Sequence, residues 1–490
     1  MNVAAGLADV AHRSGWWHRP AFHVGSRTWS HGEVHDLASR AARVLMQHGL
    51  GRERRLMLAL PDGVAWVAAF LGAARLGAVT VAVNPWLTAE DHGLLVEQCQ
   101  ARLVVGGPEL AGRFDANRWL DVEQLFGEAE VATSAPACPV PPEAPLYIQF
   151  TSGTTGVPKG AIHRHADLAA YHCTAGAEAL RIVPADASLS VSKLFFAYGF
   201  GNSLVYPLHS GSAAVLVPER PGPTAVAELV HRYRVTILYS VPSAYANLVA
   251  EADSAAFASV RVAVSAGEVL SMSVCERASA VVGALVLDGL GSTEVGGFCC
   301  MNTLHDQRPG TVGRPLPGFH LELRDESGRP VGDEAEGRLF VRGPSVLIGY
   351  LKRTEETEAA LVDGWLATSD RAVRHRDGTY TLAGRVDDIE MVGGITVSPL
   401  EVERVLAGHP VVDEVAVAAV PDQRGATKLQ AFVVARGAGQ PSAAVGDELI
   451  ALARNRLTPF KVPRSVRFVD ALPRTPTGKI RRFLLRQGSW

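Results

Sequence analysis

The sequence predicts an α/β protein with a large N-terminal domain of parallel sheets flanked by helices, a β-rich layer, and a small α+β C-terminal domain. Three observations indicate this fold class. Apolar runs of strand length alternate with helical patterns in the first part of the chain, which is the order of βαβ units. Hairpin-like strands with glycine-containing turns begin at Phe319, and a new alternation of helix and strand begins near Asp387. The length of 490 residues accommodates about two or three domains.

The first well-defined element is an amphipathic helix that begins at Ser30. Ser30 and Glu33 have the spacing of a capping box, and apolar residues follow at helical spacing as far as Gly49. Further along, five apolar runs predict buried strands at residues 79–83, 103–105, 213–217, 235–239 and 262–264. Because these strands alternate with helices, we expect them to be parallel.

The C-terminal part has its own pattern. It predicts a helix at 400–406 and strands at 415–420 and 429–434. We therefore expect one domain at 1–386 and a second at 387–490. From Arg454 onward, ten basic residues accompany one acidic residue, Asp470. This fits a solvated helix face, a nucleic-acid arm, or a surface for an acidic or phosphorylated partner, and composition favours the first.

Composition limits the possible functions. Hydrophobic residues make up 47% and charged residues 20%, which excludes a disordered or low-complexity protein. A formal net charge of −3 gives no field of one sign for nucleic acid or an anionic membrane. The default partner is therefore a small molecule, with no nucleic acid and no membrane.

Cysteine usage and the apolar segments predict a cytoplasmic protein. The six cysteines include no CxxC pair, and adjacent Cys299 and Cys300 are expected to be buried apolar residues. The N-terminus has no basic segment ahead of an apolar run. The long apolar stretch at 64–83 contains Arg75, so a buried helix followed by a strand explains it better than a membrane span.

A glycine- and threonine-rich segment, TSGTTGVPKG, occupies residues 151–160, directly after the predicted strand 146–150. Its glycines let the backbone approach an anion, its hydroxyls and amides donate hydrogen bonds, and Lys159 adds a positive charge. The spacing is not that of the P-loop, and a bare surface turn is the alternative. The segment resembles the phosphate loop of the acyl-adenylate-forming (ANL) superfamily, which includes acyl-CoA synthetases, adenylation domains of nonribosomal peptide synthetases, and luciferases. The resemblance implies ATP contacts from Thr151, Ser152, Gly153, Thr154, Thr155, Gly156 and Lys159.

Residues 287–294, LDGLGSTE, resemble the Tyr-Gly-x-Thr-Glu motif of the same superfamily. The resemblance implies that Thr293 contacts the α-phosphate, that Glu294 helps to hold Mg²⁺, and that the preceding backbone lies along the adenine. A carboxylate beside a hydroxyl suits a hard cation that bridges phosphate oxygens. Taken alone, Glu294 is more simply explained as the first residue of a helix. Further nucleotide contacts implied by the resemblance are Gly267, Glu268, Asp288, Gly289, Leu290, Gly291 and Ser292.

Three further motifs occur in the superfamily's order. Residues 368–370, TSD, resemble its Thr-Gly-Asp motif, which implies that Asp370 binds the ribose. Residues 384–388, GRVDD, resemble its hinge, which implies that Arg385 reaches the nucleotide and that Asp387 is the pivot between domains. Residues 473–480, PRTPTGKI, resemble the loop that carries the catalytic lysine, here Lys479. Gly393 and Gly394 would then lie on the path of the thiol.

The resemblance implies a reaction in two halves. A carboxylate attacks the α-phosphate of MgATP, giving an acyl-AMP and pyrophosphate. The small domain then rotates about Asp387, and a thiol displaces AMP. Neutralisation of charge by Mg²⁺, Lys479 and the loop amides is the main task of the protein. A nucleotide-binding protein without turnover is disfavoured, because Glu294, Asp370, Arg385 and Lys479 are all present.

Residues 193–202, KLFFAYGFGN, resemble the acid-pocket segment of benzoate-CoA ligases within this superfamily. The resemblance implies an aromatic acid as substrate, benzoate-like and with or without hydroxy or amino groups. The implied acid-binding residues are Phe196, Ala197, Tyr198, Gly199, Gly291 and Gly296. The alternative is that the phenylalanines are core residues. Gly296 and Gly297 replace bulkier residues, so we expect a pocket that is larger or differently substituted.

Two other departures bear on the positioning of the small domain, because Met391 replaces a usual lysine and Ser369 replaces a glycine. The acceptor thiol is expected to be CoA. The phosphopantetheine of an acyl carrier protein in natural-product biosynthesis is the alternative, since both present the same arm. The basic stretch from Arg454 is compatible with either one.

Overall fold

We analysed a computed structural model of the 490-residue chain. It describes residues 2–151, 158–385, 390–392, 395–421, 427–437, 441–457, 459–474 and 480–487.

The α-helices are α1 (Val3–Arg13), α2 (His31–Gln47), α3 (Val64–Arg75), α4 (Ala89–Cys99), α5 (Val122–Val131), α6 (Asp167–Tyr171), α7 (Ala197–Phe200), α8 (Tyr206–Ser210), α9 (Pro223–Tyr233), α10 (Pro242–Glu251), α11 (Met272–Val282), α12 (Thr354–Ala360), α13 (Pro399–Leu406), α14 (Ala443–Arg456) and α15 (Arg482–Gln487). Two π-helical segments, His172–Ala179 and Gly201–Val205, directly follow α6 and α7.

The strands are β1 (Pro20–Val24), β2 (Arg27–Ser30), β3 (Arg55–Ala59), β4 (Val79–Ala82), β5 (Leu103–Gly106), β6 (Trp119–Asp121), β7 (Pro145–Thr151), β8 (Lys159–Arg164), β9 (Ala187–Ser190), β10 (Ala213–Leu216), β11 (Ile237–Ser240), β12 (Val262–Ser265), β13 (Val286–Gly291), β14 (Phe298–Met301), β15 (Arg314–Pro315), β16 (His320–Arg324), β17 (Glu336–Arg342), β18 (Gly349–Tyr350), β19 (Leu361–Val362), β20 (Trp365–Arg374), β21 (Tyr380–Arg385), β22 (Glu390–Val392), β23 (Ile395–Val397), β24 (Val412–Pro421), β25 (Thr427–Ala435) and β26 (Ser465–Phe468).

The chain divides into two compact units. The first comprises residues 1–321 and 341–367, and the second comprises 322–340 and 368–490. The predicted boundary at 386/387 lies inside the second unit, and residues 386–389 lie outside the described residues. The two-domain assignment at 1–386 and 387–490 therefore stays a prediction.

The first unit contains two mainly parallel sheets with helices packed against them. One has the strand order β18-β8-β7-β4-β3-β5-β6, and the other has the order β15-β14-β13-β12-β11-β9-β10-β1-β2. All the predicted strands of this region are present, and the helix and strand expected at 64–83 are α3 and β4. Apolar residues of β9, β11 and β12 pack with α9, α10 and α11 in one core cluster. The predicted α/β class is confirmed.

The capping box at the start of α2 is also confirmed. The Ser30 hydroxyl accepts a hydrogen bond from the Glu33 backbone N–H at 3.2 Å, and the Glu33 carboxylate accepts one from the Ser30 N–H at 2.7 Å. These bonds satisfy two donors at the helix end. The apolar face that follows is buried, as the helical spacing predicts.

The second unit contains an antiparallel β region and an α+β part. In the latter, β24 pairs with β25 in an antiparallel manner, and β25 pairs with β26 in parallel. Apolar residues of α13 and α14 pack on this three-stranded sheet. The helix expected at 400–406 and the strands expected at 415–420 and 429–434 correspond to α13, β24 and β25.

In the part of the chain that the structure describes, no helix is both long and apolar enough to cross a bilayer. Cys299 and Cys300 are buried in β14, as expected.

Candidate active site

The predicted phosphate and metal residues lie at the carboxyl ends of parallel strands. Ser240, Ser265 and Asp288 are paired in register across β11, β12 and β13. This edge of a parallel sheet is where α/β proteins bind ligands, because several strands end there together. Thr293 and Glu294 follow in the turn between β13 and β14. Glu294 therefore does not begin a helix, and the simpler explanation of this residue is wrong.

Glu294 is half-buried and held at two points. Its carboxylate oxygen Oε1 accepts a hydrogen bond from the Tyr350 hydroxyl at 3.0 Å. Its backbone carbonyl accepts one from the Leu347 N–H at 2.8 Å. These two contacts position the carboxylate within the first unit.

Lys159 shares a neighbour with Glu294. Its Nζ lies 5.5 Å from the ring centroid of Tyr350, which is within cation–π range. Lys159 pairs with Thr151 across β7 and β8, so the two ends of the predicted phosphate loop are adjacent. The loop residues Ser152, Gly153, Thr154, Thr155 and Gly156 lie outside the described residues. Tyr350 therefore contacts both Lys159 and Glu294, so the lysine of the predicted phosphate loop lies near the predicted metal ligand.

The predicted adenine-facing backbone is packed closely against β14. A side chain at Gly289 would lie 2.7 Å from the Phe298 ring, and one at Gly291 would lie 2.2 Å from the Gly297 carbonyl oxygen. Leu290 pairs with Cys300 in the same hairpin. Close packing therefore favours glycine at both positions, against the Phe298 and Met301 side chains at 289 and against the Gly297 backbone at 291.

Burial raises the pKa of Asp288 well above its usual range, while the Gly289 N–H, which donates to the carboxylate at 3.1 Å, opposes this rise. Ser292 keeps the turn compact, since its hydroxyl accepts a hydrogen bond from the Val295 N–H at 3.3 Å. These contacts fix the start of the turn that carries Thr293.

Gly267 and Glu268 follow β12. The Glu268 carboxylate accepts hydrogen bonds from the Ser243 N–H at 3.1 Å and the Ser243 hydroxyl at 3.0 Å. It therefore satisfies a free donor in the first turn of α10, where the helix dipole favours negative charge. Gly267 has φ +87°, a conformation that favours glycine.

The predicted acid-binding segment leads into α7. The Tyr198 hydroxyl donates to the carbonyls of Val264 at 3.0 Å and Ser240 at 3.3 Å, at the ends of β12 and β11. Its ring meets the Phe298 ring edge-on, with centroids 5.7 Å apart. The structure thus brings Tyr198 to the hairpin that carries Gly291, Thr293 and Glu294.

Gly199 has a local packing role, because a side chain there would lie 2.3 Å from the Lys193 carbonyl oxygen. Phe200 packs edge-on against Phe70 and Trp66, so it is a core residue, as the alternative interpretation expected. Phe196 precedes Ala197 as the N-cap of α7, and its ring packs on that of Phe195.

Two buried charged side chains, Asp62 and Lys193, anchor the start of this segment. The Leu194 N–H donates to the Asp62 carboxylate at 2.9 Å, and Lys193 Nζ donates to the carbonyls of Val217 and Glu219 at 2.6 Å each. Burial raises the pKa of Asp62 to about 7, and the charge of Lys193 opposes this rise. Burial also lowers the pKa of Lys193. Both contacts restrain the backbone just before the predicted acid-binding residues.

Tyr171 occupies the space beside Gly296. A side chain at this glycine would lie 1.7 Å from the Tyr171 hydroxyl, and its φ of +78° also favours glycine. At Gly297 the corresponding distance to the Tyr171 ring is 3.5 Å, which is ordinary contact. Tyr171 therefore occupies the space that a side chain at Gly296 would need, and a pocket that is larger or differently substituted stays a prediction.

The remaining predicted residues belong to the second unit. Asp370 pairs with Arg385 across β20 and β21, and its N–H donates to the Thr368 hydroxyl at 3.1 Å. The other predicted residues, Asp387, Gly393, Gly394 and Lys479, lie outside the described residues.

Local patterns in the sequence do not single out four residues that contact the site, which are Tyr350, Tyr171, Phe298 and His163. His163 Nε2 lies 2.7 Å from the Thr293 carbonyl oxygen, although the two residues are 130 positions apart. The only local signal for His163 was its place on a strand shortly after the phosphate loop. Tyr350 carried no local signal, because β18 contributes only two residues to its sheet.

Comparison with known proteins defines the class of this protein. Residues 9–351 match the family described as AMP-binding enzyme, and residues 401–479 match the AMP-binding enzyme C-terminal domain. The chain therefore belongs to the AMP-binding enzyme family, in agreement with the motifs that resemble the ANL superfamily.

Several similar proteins are named for aromatic acids. The p-hydroxybenzoic acid–AMP ligase FadD22 of Mycobacterium tuberculosis is 39% identical over 489 residues, covering 100% of this chain and 69% of that protein. The benzoate–CoA ligase of Thauera aromatica is 38% identical over 458 residues, covering 89% of this chain and 86% of that protein. The benzoate CoA ligase from Burkholderia xenovorans LB400 has a similar structure, with a TM-score of 0.92 at 35% identity, covering 99% of this chain and 100% of that chain.

Proposed function

We propose that this protein is an acid–thiol ligase that activates an aromatic carboxylic acid with ATP and transfers the acyl group to CoA. The observation that carries this is the edge-on contact between Tyr198 and Phe298 beside the turn with Thr293 and Glu294. An aromatic wall next to a phosphate- and metal-binding turn suits a ring with a carboxylate. The names of the three relatives support the same substrate class.

In the first half-reaction, a carboxylate oxygen of the acid attacks the α-phosphorus of ATP, and pyrophosphate leaves. Thr293 is proposed to contact the α-phosphate, and Lys159 to neutralise charge on the departing phosphates. Lys479 is proposed to neutralise the reacting carboxylate and the bridging oxygen. In the second half-reaction, the thiol sulfur attacks the acyl carbon, loses its proton, and AMP leaves.

Glu294 fits a role in holding Mg²⁺. Within the described residues, no group of three or more His, Cys, Asp or Glu side chains could hold a metal by itself. A cation held by one carboxylate and by substrate phosphates is the usual arrangement for Mg²⁺ in ATP-dependent enzymes. When bound, Mg²⁺ would neutralise phosphate charge, and the Tyr350 hydrogen bond would keep Glu294 directed toward it.

The second unit is proposed to move during the cycle, with Asp387 as the pivot and Gly393 and Gly394 on the thiol path. Two basic residues near the C-terminus of this unit form ion pairs within it. Arg482 pairs with Glu403 at 2.9 Å, and Arg486 with Glu390 at 2.8 Å. These two basic side chains are therefore engaged within the second unit, and the role of the rest of the basic stretch stays a prediction.

A carrier-protein phosphopantetheine is the second candidate acceptor. The name of the FadD22 relative describes an acid–AMP ligase, not a CoA ligase. If the same holds here, the adenylate would pass to a thiol other than CoA.

Pyrophosphate release tests the proposal. The panel contains benzoate, hydroxybenzoates, aminobenzoates, cinnamate and a medium-chain fatty acid, each with MgATP and with or without CoA. Sustained release with aryl acids only when CoA is present supports the ligase. A single burst that CoA does not convert into turnover supports a carrier protein, and release with the fatty acid alone would overturn the aromatic assignment.

A further inference from the structure

A buried polar cluster lies behind the turn with Thr293 and Glu294, and none of its members belongs to the predicted site. It consists of His163 on β8, Asp167 and Tyr171 on α6, Arg164 and Tyr147, and we call it the His163 cluster. Both His163 and Asp167 have fully buried side chains. Buried polar groups are costly unless they are paired, so a complete cluster in this place requires explanation.

His163 contacts the turn directly. Its Nε2 lies 2.7 Å from the Thr293 carbonyl oxygen, which can only accept a hydrogen bond. Nε2 therefore carries a proton and donates it to Thr293. The other ring nitrogen, Nδ1, lies 3.2 Å from an Asp167 oxygen and 3.1 Å from the Tyr171 hydroxyl. Whichever of these two partners Nδ1 engages, the bond to Thr293 keeps the same direction.

The cluster is itself firmly anchored. The Asp167 carboxylate accepts hydrogen bonds from the Arg164 N–H at 3.0 Å and from Arg164 Nε at 2.9 Å. The Tyr171 and Tyr147 hydroxyls are 2.6 Å apart, and the Tyr147 ring stacks on the imidazole at 5.0 Å. The imidazole therefore has one orientation available.

The cluster also touches the turn at a second point. Tyr171 fills the space beside Gly296, three residues after Thr293. Arg164 extends the support further, because its Nη2 donates to the Pro344 carbonyl at 2.7 Å, and the adjacent Ser345 hydroxyl donates to the Val295 carbonyl at 2.9 Å. The backbone from Thr293 to Gly296 is thus contacted at Thr293, Val295 and Gly296.

We propose that His163 is a positioning residue, which fixes the Thr293–Glu294 backbone for adenylate formation through its hydrogen bond to the Thr293 carbonyl. The catalytic consequence rests on the proposed function. Displacing a reacting group by about 1 Å can cost ~100-fold in rate. In the second half-reaction no bond to the α-phosphorus forms, so the position of Thr293 matters less. We therefore expect this half-reaction to be much less sensitive to substitution of His163.

Paired amide substitutions test this proposal. In His163→Gln the amide nitrogen reaches the position of Nε2, whereas in His163→Asn it reaches only that of Nδ1. We expect His163→Asn to lower kcat for pyrophosphate release by ~100-fold with little change in KM for the acid, and His163→Gln to recover most of this loss. Thioester formation from supplied aryl-AMP should change little in either variant.

His165→Gln is the matched control, because His165 is also buried and neither ring nitrogen has a partner among the described residues. It should leave pyrophosphate release near the wild-type rate. Equal loss in His163→Gln and His163→Asn, or equal loss in both half-reactions, would overturn the positioning role.

A second measurement does not depend on the reaction. Amide hydrogen exchange in the peptide 291–298 should become faster in His163→Asn but not in His163→Gln. If the wild-type protein activates none of the aryl acids, the proposed function fails. Amide hydrogen exchange then still tests the hydrogen bond between His163 and Thr293. Unchanged exchange in His163→Asn would overturn it.

Discussion

At the scale of single residues, the two lysines of the proposed site belong to different units of the chain. Lys159 belongs to the first unit, where it lies near Tyr350 and, through it, near Glu294. Lys479 is in the second unit and lies outside the described residues. If the second unit moves, only Lys479 can be present for one half-reaction and absent from the other.

Lys479→Ala should therefore separate the two half-reactions. We expect pyrophosphate release to fall by ~100-fold or more, because a charge that stabilises the transition state is lost. Thioester formation from supplied aryl-AMP should remain close to the wild-type rate. Lys428→Ala, which removes a lysine from strand β25 of the same unit, is the control. Equal loss in both half-reactions would contradict the role assigned to Lys479.

Residues that carry chemistry in a local motif are predictable from the sequence, whereas residues that act across the fold are not. Thr293 and Glu294 are recognisable because the motif is continuous in sequence. Tyr350 is 56 residues from its partner Glu294, and His163 is 130 residues from Thr293. These contacts depend on strand pairing and loop packing, which local patterns do not specify.

At the scale of elements, the N-terminal region is built on helices α1 and α2 and the turn between α1 and β1. Trp17 stacks on His12, with ring centroids 3.6 Å apart, and on His35 of α2 at 6.0 Å. His35 is 4% exposed, and its Nε2 has no partner among the described residues. Burial, helped by the nearby charges of His31, Arg75 and His12, lowers the pKa of His35 to about 3.

This arrangement predicts acid-sensitive stability. The unfolded chain takes up a proton at His35 near pH 6.5, whereas the folded chain does so only near pH 3. The free energy of unfolding is therefore highest above pH 6.5 and falls as the pH is lowered toward 3. The contribution of one such group is about 2 kcal/mol between pH 6.5 and 5.

His35→Phe keeps a flat ring against Trp17 and cannot take up a proton. Urea unfolding between pH 7 and 4 should show a smaller loss of stability in this variant than in the wild type. His320→Gln, at an exposed position on β16, serves as the control and should keep the wild-type slope. An unchanged slope in His35→Phe would show that His35 is not the titrating group.

Elements with a strong local signal were predicted well. The capping box of α2 and the apolar strands β4, β5 and β12 follow from residue spacing and β-branched content. The π-helical segments after α6 and α7 were not predicted, because one extra residue per turn leaves little trace in hydrophobic spacing. The contact of Tyr171 with Gly296 was not predicted either, since Tyr171 reaches this glycine from the end of α6.

At the scale of the whole molecule, the proposed cycle requires the second unit to change position between the half-reactions. The structure divides the chain at residues 321/322, 340/341 and 367/368. The proposed pivot, Asp387, lies further along the chain and outside the described residues. Local patterns predict two domains, because a new alternation of helix and strand begins near Asp387. A pivot is a property of motion, so it has no hydrophobic periodicity of its own.

Asp387→Pro tests the pivot. Proline fixes φ near about −65°, so a residue whose backbone must rotate between two conformations is held in one. We expect pyrophosphate release to stay within ~3-fold of the wild type and thioester formation to fall by ~100-fold, the reverse of Lys479→Ala. Asp387→Ala removes the same carboxylate and leaves the backbone free, so it should retain both half-reactions. If Asp387→Ala is as impaired as Asp387→Pro in thioester formation, the carboxylate rather than backbone rotation is what the second half-reaction needs.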